Sequence, residues 1–337
     1  MKSYEHIEAD GFESQPERYK KIEALNQKSF LLTEGSALQV LQSLHSVGAS
    51  REVLSPKYAD MYEPNVVAEA QKISRHILVG NMSPLSNYGP SELTQEGRIE
   101  DAKANLNRFF QLNEIDPANV RLLRPERDYS TPLTALNVDE APLAPDDAGL
   151  LRPDTAGDML YTYNPELFLA ARPADCPIVF VTAETPKGEV TALLHLATLG
   201  VAHGYIPQSK KILDGLAIDW QTARVQVTPG GHAETYMYEN FKQYNPLEKF
   251  PDATGLYIDV KEVASDNTKP SYNYAIDLPG EVYEKIVEQW GIDPYQIFLD
   301  TTDSTSPTVG YSSNSRAFKG YEVDGDNTRD IVIAGRF

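Results

Sequence analysis

Apolar and polar positions follow two different rhythms along the 337-residue chain. Near the start, YKKIEALNQKSF and GSALQVLQSLHSV carry apolar residues at helical spacing. Leu38, Leu41, Leu44 and Val47 fall three apart, which predicts a helix. SPKYADMYEPN then reads as a linker. These features predict a helical N-terminal extension over residues 1–70, packed on or ahead of a main domain over 71–337.

Beyond that point strands and helices mix. HILVGN (76–81) reads as a strand. LTQEGRIEDAKANLNRFFQL (93–112) reads as a helix with Ile99, Ala102, Leu106 and Phe109 on one side. VRLL (120–123) is a short strand, and the Pro- and Asp-rich stretch that follows from Arg127 reads as a long loop. DMLYTYNPELFLAARPADCPIVFVTA holds three apolar runs broken at Asn164-Pro165 and Arg172-Pro173, which predicts three adjacent strands. EVTALLH (189–195) is a further strand, and KKILDGLAI (210–218) a helix. ARVQVTP and GLYIDVKEV alternate polar with apolar residues, as half-buried strands do. In DLPGEVYEKIVEQWG, Asp277 is an N-cap, Gly291 a stop, and Val282, Ile286 and Trp290 the apolar face. QIFLD and DIVIAGRF complete the strands. Such alternation is an α/β or α+β pattern.

Composition narrows the chemistry. Apolar residues make up 41% and charged residues 23%, a globular balance. Thirty basic side chains against 49 acidic ones give a net charge of −19. Such a surface repels phosphate backbones and anionic lipid, so no nucleic acid or membrane partner is expected. The N-terminal residues show no apolar signal core, which points to a cytoplasmic setting. There is no GxGxxG, GxxxxGK[ST], HExxH or GxSxG motif. The phosphate-loop, dinucleotide, zincin and α/β-hydrolase readings therefore lose their support.

One cysteine and six histidines remain. Cys176 opens the strand CPIVFVTA and His195 ends EVTALLH. If those strands are neighbours, thiol and imidazole meet at one sheet edge. The pair then serves as nucleophile and base, or as two ligands of a zinc ion that needs a third. Third-ligand candidates are His203, His232, Glu126 and Asp128. The alternative is structural: a free cysteine is commonly a small buried hydrophobe, and Asp175 suits a turn before a strand.

The order of these pieces resembles the laccase-domain family. That family is described as multicopper polyphenol oxidoreductases and associated with zinc-dependent purine nucleoside phosphorylase activity, in one fold group with toxin-type cysteine hydrolases. Its landmarks include an Asp-x-x-x-Thr strand, a Thr-Ala-Asp-Cys-x-Pro strand start and a His-Ala-Gly-Trp-Arg-Gly segment. Here Asp158, Thr162, Ala174, Asp175, Cys176 and Pro177 stand in the first two, and His195 and Gly200 in the third. Pro229 stands in the family's later Gly-Pro-Cys-Ile turn, whose Cys is Gly230. Asn107-Arg108 resembles its Asn-Arg helix. The likeness spans roughly residues 75–337.

The resemblance implies two packed β-sheets flanked by helices in α-β-β-α layers. It implies a zinc site of Cys176, His195 and Glu126, where Glu126 stands in place of the family's histidine and His232 is the alternative third ligand. Cys176, His195, Glu126 and Asp175 are then the catalytic candidates. Arg124, Arg127, Arg172, Asn107 and Arg108 are candidates for substrate binding. The implied substrate is a small molecule, a purine nucleoside with phosphate. Two alternatives stand beside it. One is a metal-free Cys-His hydrolase of an amide or ester. The other is a weakened scaffold whose N-terminal extension binds a protein partner.

Overall fold

The computed structural model describes residues 15–26, 77–80, 103–104, 106–107, 109–111, 115–126, 132–232, 237–239, 257–259, 272–301, 303–304 and 331–335. The expected helix at GSALQVLQSLHSV and the linker after it lie outside these residues.

Two six-stranded mixed sheets form the core. The first runs β1 (Ile77–Gly80), β15 (Ile331–Ala334), β7 (Phe168–Ala171), β2 (Val120–Leu122), β5 (Leu151–Pro153), β4 (Leu143–Pro145). The second runs β14 (Ile297–Leu299), β10 (Arg224–Val227), β8 (Ile178–Thr185), β9 (Gly188–His195), β6 (Met159–Thr162), β3 (Ala135–Asn137). Strands β11 (Met237–Glu239), β13 (Tyr272–Ile276) and β12 (Tyr257–Asp259) make a separate three-stranded sheet.

Period-two alternation explains the layers, because successive strand residues face opposite sides. In β8, Ile178 and Phe180 join Leu160, Leu169, Leu193 and Val332 in a core between the sheets. Val179 and Val181 point the other way, into a core with helices. Those helices are α1 (Gln15–Asn26), α2 (Thr198–Ala202), α3 (Tyr205–Gly215) and α4 (Leu278–Trp290). In β15, Val332 and Ala334 face the inter-sheet core, whereas Ile331 and Ile333 pack outward with Leu106, Phe109 and Phe110 of a helical segment. The layering is helix, sheet, sheet, helix, as the sequence led us to expect.

Local signals account for α4. The Asp277 side chain accepts the Gly280 N–H, Gly291 closes the helix at φ 67°, and Val282, Ile286 and Trp290 are buried. Helix α1 carries Pro16 in its first turn and lays Tyr19 and Ile22 on the same core. Its Arg18, 6% exposed, donates to Asp277 Oδ2 (2.6 Å), Glu281 Oε1 (2.8 Å) and Glu284 Oε2 (2.6 Å). Burial pushes the Glu281 carboxyl up to about 7, with Arg18 opposing. Arg18→Met is expected to cost about 3–5 kcal/mol in urea unfolding, because it strands buried carboxylates without their cation. No described helix is long and apolar enough to cross a membrane.

Two expectations change. The three runs from Asp158 do not lie side by side: β6 and β8 flank β9, while β7 crosses to the other sheet between β15 and β2. The breaks at Asn164-Pro165 and Arg172-Pro173 are where the chain changes sheets. The stretch read as one long loop holds three-residue strands β3, β4 and β5.

Candidate active site at the end of the second sheet

Strands β8 and β9 form an antiparallel hairpin in which Ile178 lies opposite His195. Strand β6 pairs with the other side of β9, Met159 opposite Leu194. One residue before β6, Asp158 comes level with His195, and the His195 N–H donates to the Asp158 carbonyl at 2.8 Å. His195 follows the parity of Leu193, and Asp158 that of Leu160. Both leucines face the inter-sheet core, so Asp158 and His195 share that face at one end of the sheet. Their side chains meet: His195 Nδ1 lies 2.7 Å from Asp158 Oδ1. Asp158 is 1% exposed and the His195 side chain 13%. Cys176, two residues ahead of Ile178, is half-buried and raises the pKa of the same imidazole. One ring thus links a buried carboxylate and the only thiol of the chain.

The electrostatics favour an imidazolium. Burial lowers the His195 pKa, but the bond that its ring donates to Asp158 and its interactions with Cys176 outweigh this, pushing it up to about 10. With Nδ1 held by Asp158, Nε2 is the remaining nitrogen. This is the order of a nucleophile, a base and an orienting carboxylate.

The turn before Cys176 is built tightly. Asp175 has φ 75°, a left-handed conformation that Asp tolerates better than most residues. It is 3% exposed. Its carbonyl accepts the Gly231 N–H at 2.9 Å, and its Oδ1 lies 3.5 Å from Ser304 Oγ. A Cβ on Gly230 would come within 3.1 Å of Pro177 Cδ and 3.2 Å of the Asp175 carbonyl. A side chain at 230 would therefore crowd this turn. Asp175, expected among the catalytic groups, lies in this turn, and the carboxylate bonded to His195 is Asp158. Sequence reasoning quoted Asp158 only as a landmark. Its signal was its parity with Leu160, one step before the strand.

The other candidates separate. Arg124 directs Nη1 to the Asp154 carbonyl, and its own carbonyl accepts the Gly157 N–H at 2.9 Å. Its segment thus reaches the neighbour of Asp158. Arg172 is turned to Asp146, with its side chain 11% exposed. Asn107 is exposed on the helical layer outside the first sheet, across that sheet from the pair. His203 closes α2 with its N–H on the Leu199 carbonyl. His232 is 9% exposed and stacks on the Tyr19 ring, centroids 4.3 Å apart at 8°. Arg108, Arg127 and Asp128 lie outside the described residues.

A zinc ion held by protein needs three or four ligands. Among the described residues no three His, Cys, Asp or Glu side chains are arranged to hold a metal. Neither Glu126 nor His232 therefore completes a set with Cys176 and His195.

No protein-family model and no curated protein matches the sequence. Solved structures do match the fold. YfiH, a hypothetical protein of Bacillus licheniformis, aligns with a TM-score of 0.57 at 17% identity, over 74% of this chain and 85% of its own. YlmD from Geobacillus stearothermophilus gives 0.54 at 16% identity, over 77% and 90%. The DUF152 protein NMB0706 of Neisseria meningitidis gives 0.51 at 15%, over 74% and 86%. The fold of this chain is that of these three proteins.

Proposed function

We propose that the chain is an enzyme acting on a small molecule, with Cys176 as nucleophile, His195 as acid and base, and Asp158 as the group that orients His195. The reaction class is hydrolysis of an amide or ester. The observation that supports it is the single imidazole set between a buried carboxylate and the thiol.

Cys176 Sγ, as thiolate, attacks the substrate carbonyl carbon, and a C–S bond forms. The tetrahedral oxyanion collapses, the C–N or C–O bond breaks, and the His195 imidazolium gives its proton to the leaving group. Neutral His195 then takes a proton from water, whose oxygen attacks the thioester. The acid leaves, and thiolate and imidazolium are restored. Asp158 keeps Nδ1 occupied throughout.

The experiment is trapping. The protein is mixed with p-nitrophenyl esters and amides of small acids and quenched in acid for intact-mass analysis. An acyl adduct on wild type that is missing from Cys176→Ala is expected. Turnover with no adduct, and full turnover by Cys176→Ala, would remove the nucleophile from the account.

The fold favours a second reading. Its structural neighbours belong to the purine nucleoside phosphorylase/laccase-like superfamily. On that reading the chain is a zinc-dependent enzyme that releases a purine base from its nucleoside in the presence of phosphate. Stoichiometric zinc that disappears in Cys176→Ala, together with base release from a purine nucleoside panel, is its signature. Fold likeness alone carries this reading, so the geometry of the described residues ranks first.

A further inference from the structure

We propose that Tyr19, on the N-terminal helix, is a positioning residue for the Cys176–His195 centre, acting through His232 and the Asp175 turn. The inference rests on the paired centre described above.

The physical path is continuous. The segment bearing Cys176 runs beside residues 228–231. The Ile178 N–H donates to Thr228 Oγ1 at 2.9 Å, the Thr228 N–H donates to the Ile178 carbonyl at 3.0 Å, and the Gly231 N–H donates to the Asp175 carbonyl at 2.9 Å. The nucleophile's turn is therefore only as fixed as this neighbouring segment. That segment is held in turn from its far end. The Ser304 N–H donates to the Gly230 carbonyl (3.0 Å), the Leu278 N–H to the Gly231 carbonyl (3.2 Å), and the His232 N–H to Asp303 Oδ1 (3.1 Å). Over the His232 ring lies Tyr19, 8% exposed and nearly coplanar with it. The Tyr19 hydroxyl donates to Asp277 Oδ1 at 2.6 Å, which fixes the ring from its outer end.

Docking of α1 does not depend on that stack. Arg18 clasps three carboxylates, Ile22 enters the core, and Glu23 meets Thr301. The aromatic face of Tyr19 is the part of the helix applied to the His232 segment. Reactive constellations lose rate with shifts of well under 1 Å, so the stack bears on chemistry two residues beyond the segment it covers.

The test uses the full chain and its one thiol, read as the rate of Cys176 alkylation by iodoacetamide at pH 7. The sign is informative. Loosening that merely exposes the thiol raises the rate, whereas loss of the imidazole partner lowers it. Tyr19→Leu is expected to lower it about tenfold, toward the rate of His195→Ala. Tyr19→Phe keeps the ring, drops the Asp277 bond, and is expected to stay within about twofold of wild type. Glu23→Gln is expected to be unchanged. His232→Gln removes the stack from the other side and is expected to match Tyr19→Leu, which keeps the test decisive if Tyr19→Leu fails to fold. A wild-type or faster rate in Tyr19→Leu or His232→Gln overturns the proposal, and so does a Tyr19→Phe rate as low as that of Tyr19→Leu. A wild-type rate equal to that of His195→Ala overturns the paired centre itself, and the positioning role with it.

Discussion

Replacing Cys176 with alanine is expected to lower kcat on small esters or amides by about 10³-fold or more, with protein stability nearly unchanged. The thiol is half-buried, so truncation leaves little apolar area unpacked. The chemical loss is large because no second thiol exists in the chain to take over covalent catalysis. Residual rate would come from His195 acting on water and from binding alone. Steady-state kinetics on the same ester series, beside thermal unfolding, checks both halves of this expectation.

Asp158→Asn is the second large effect, about 10²–10⁴-fold in kcat, the range usual for general acid–base function. The substitution keeps shape and burial but presents an amide to His195 Nδ1 and removes the negative charge beside it. The pKa consequence has a definite sign. Asp158 and Cys176 together hold His195 up near 10 against burial, which lowers it. Without the carboxylate the imidazolium loses its proton at lower pH, so the alkaline limb of the pH–rate profile moves to acid. The same coupling governs stability. A histidine raised from 6.5 to about 10 contributes stability that is complete below 6.5 and is lost as pH rises toward 10. The alkaline loss of wild-type stability is expected to shrink in Asp158→Asn, as measured by urea unfolding at pH 6, 8 and 10.

Much of the scaffold can be read from local pattern. The cap at Asp277, the stop at Gly291 and the apolar face of α4 are decided within a few residues, and they stand where expected. The β8–β9 pairing is also legible, since two eight-residue strands joined by a short turn find each other locally. The crossing of β7 to the other sheet is not. Which sheet an apolar strand joins depends on contacts with β15 and β2, far away in sequence. Strands β3, β4 and β5 are three residues long, too short for an alternation to show.

The site follows the same division. Cys176 and His195 could be paired from sequence because each sits at an end of two long neighbouring strands. Asp158 could be assigned its role only after β6 was registered against β9, which fixes the face that Asp158 shares with His195. Asp175 was read toward the chemistry because it adjoins the thiol, yet its positive φ and its bonds to Gly231 and Ser304 tie it to the turn. His232 was a candidate ligand because nothing in the local sequence reveals a stacking partner more than 200 positions upstream at Tyr19.

The most direct measurement is the titration of the His195 ring by NMR in the intact protein, assigned by its loss in His195→Asn. The account expects a ring still protonated at pH 8, with a midpoint near 10 that falls in Asp158→Asn and again when Cys176 is replaced. A midpoint near 6.5 that ignores both substitutions would contradict it.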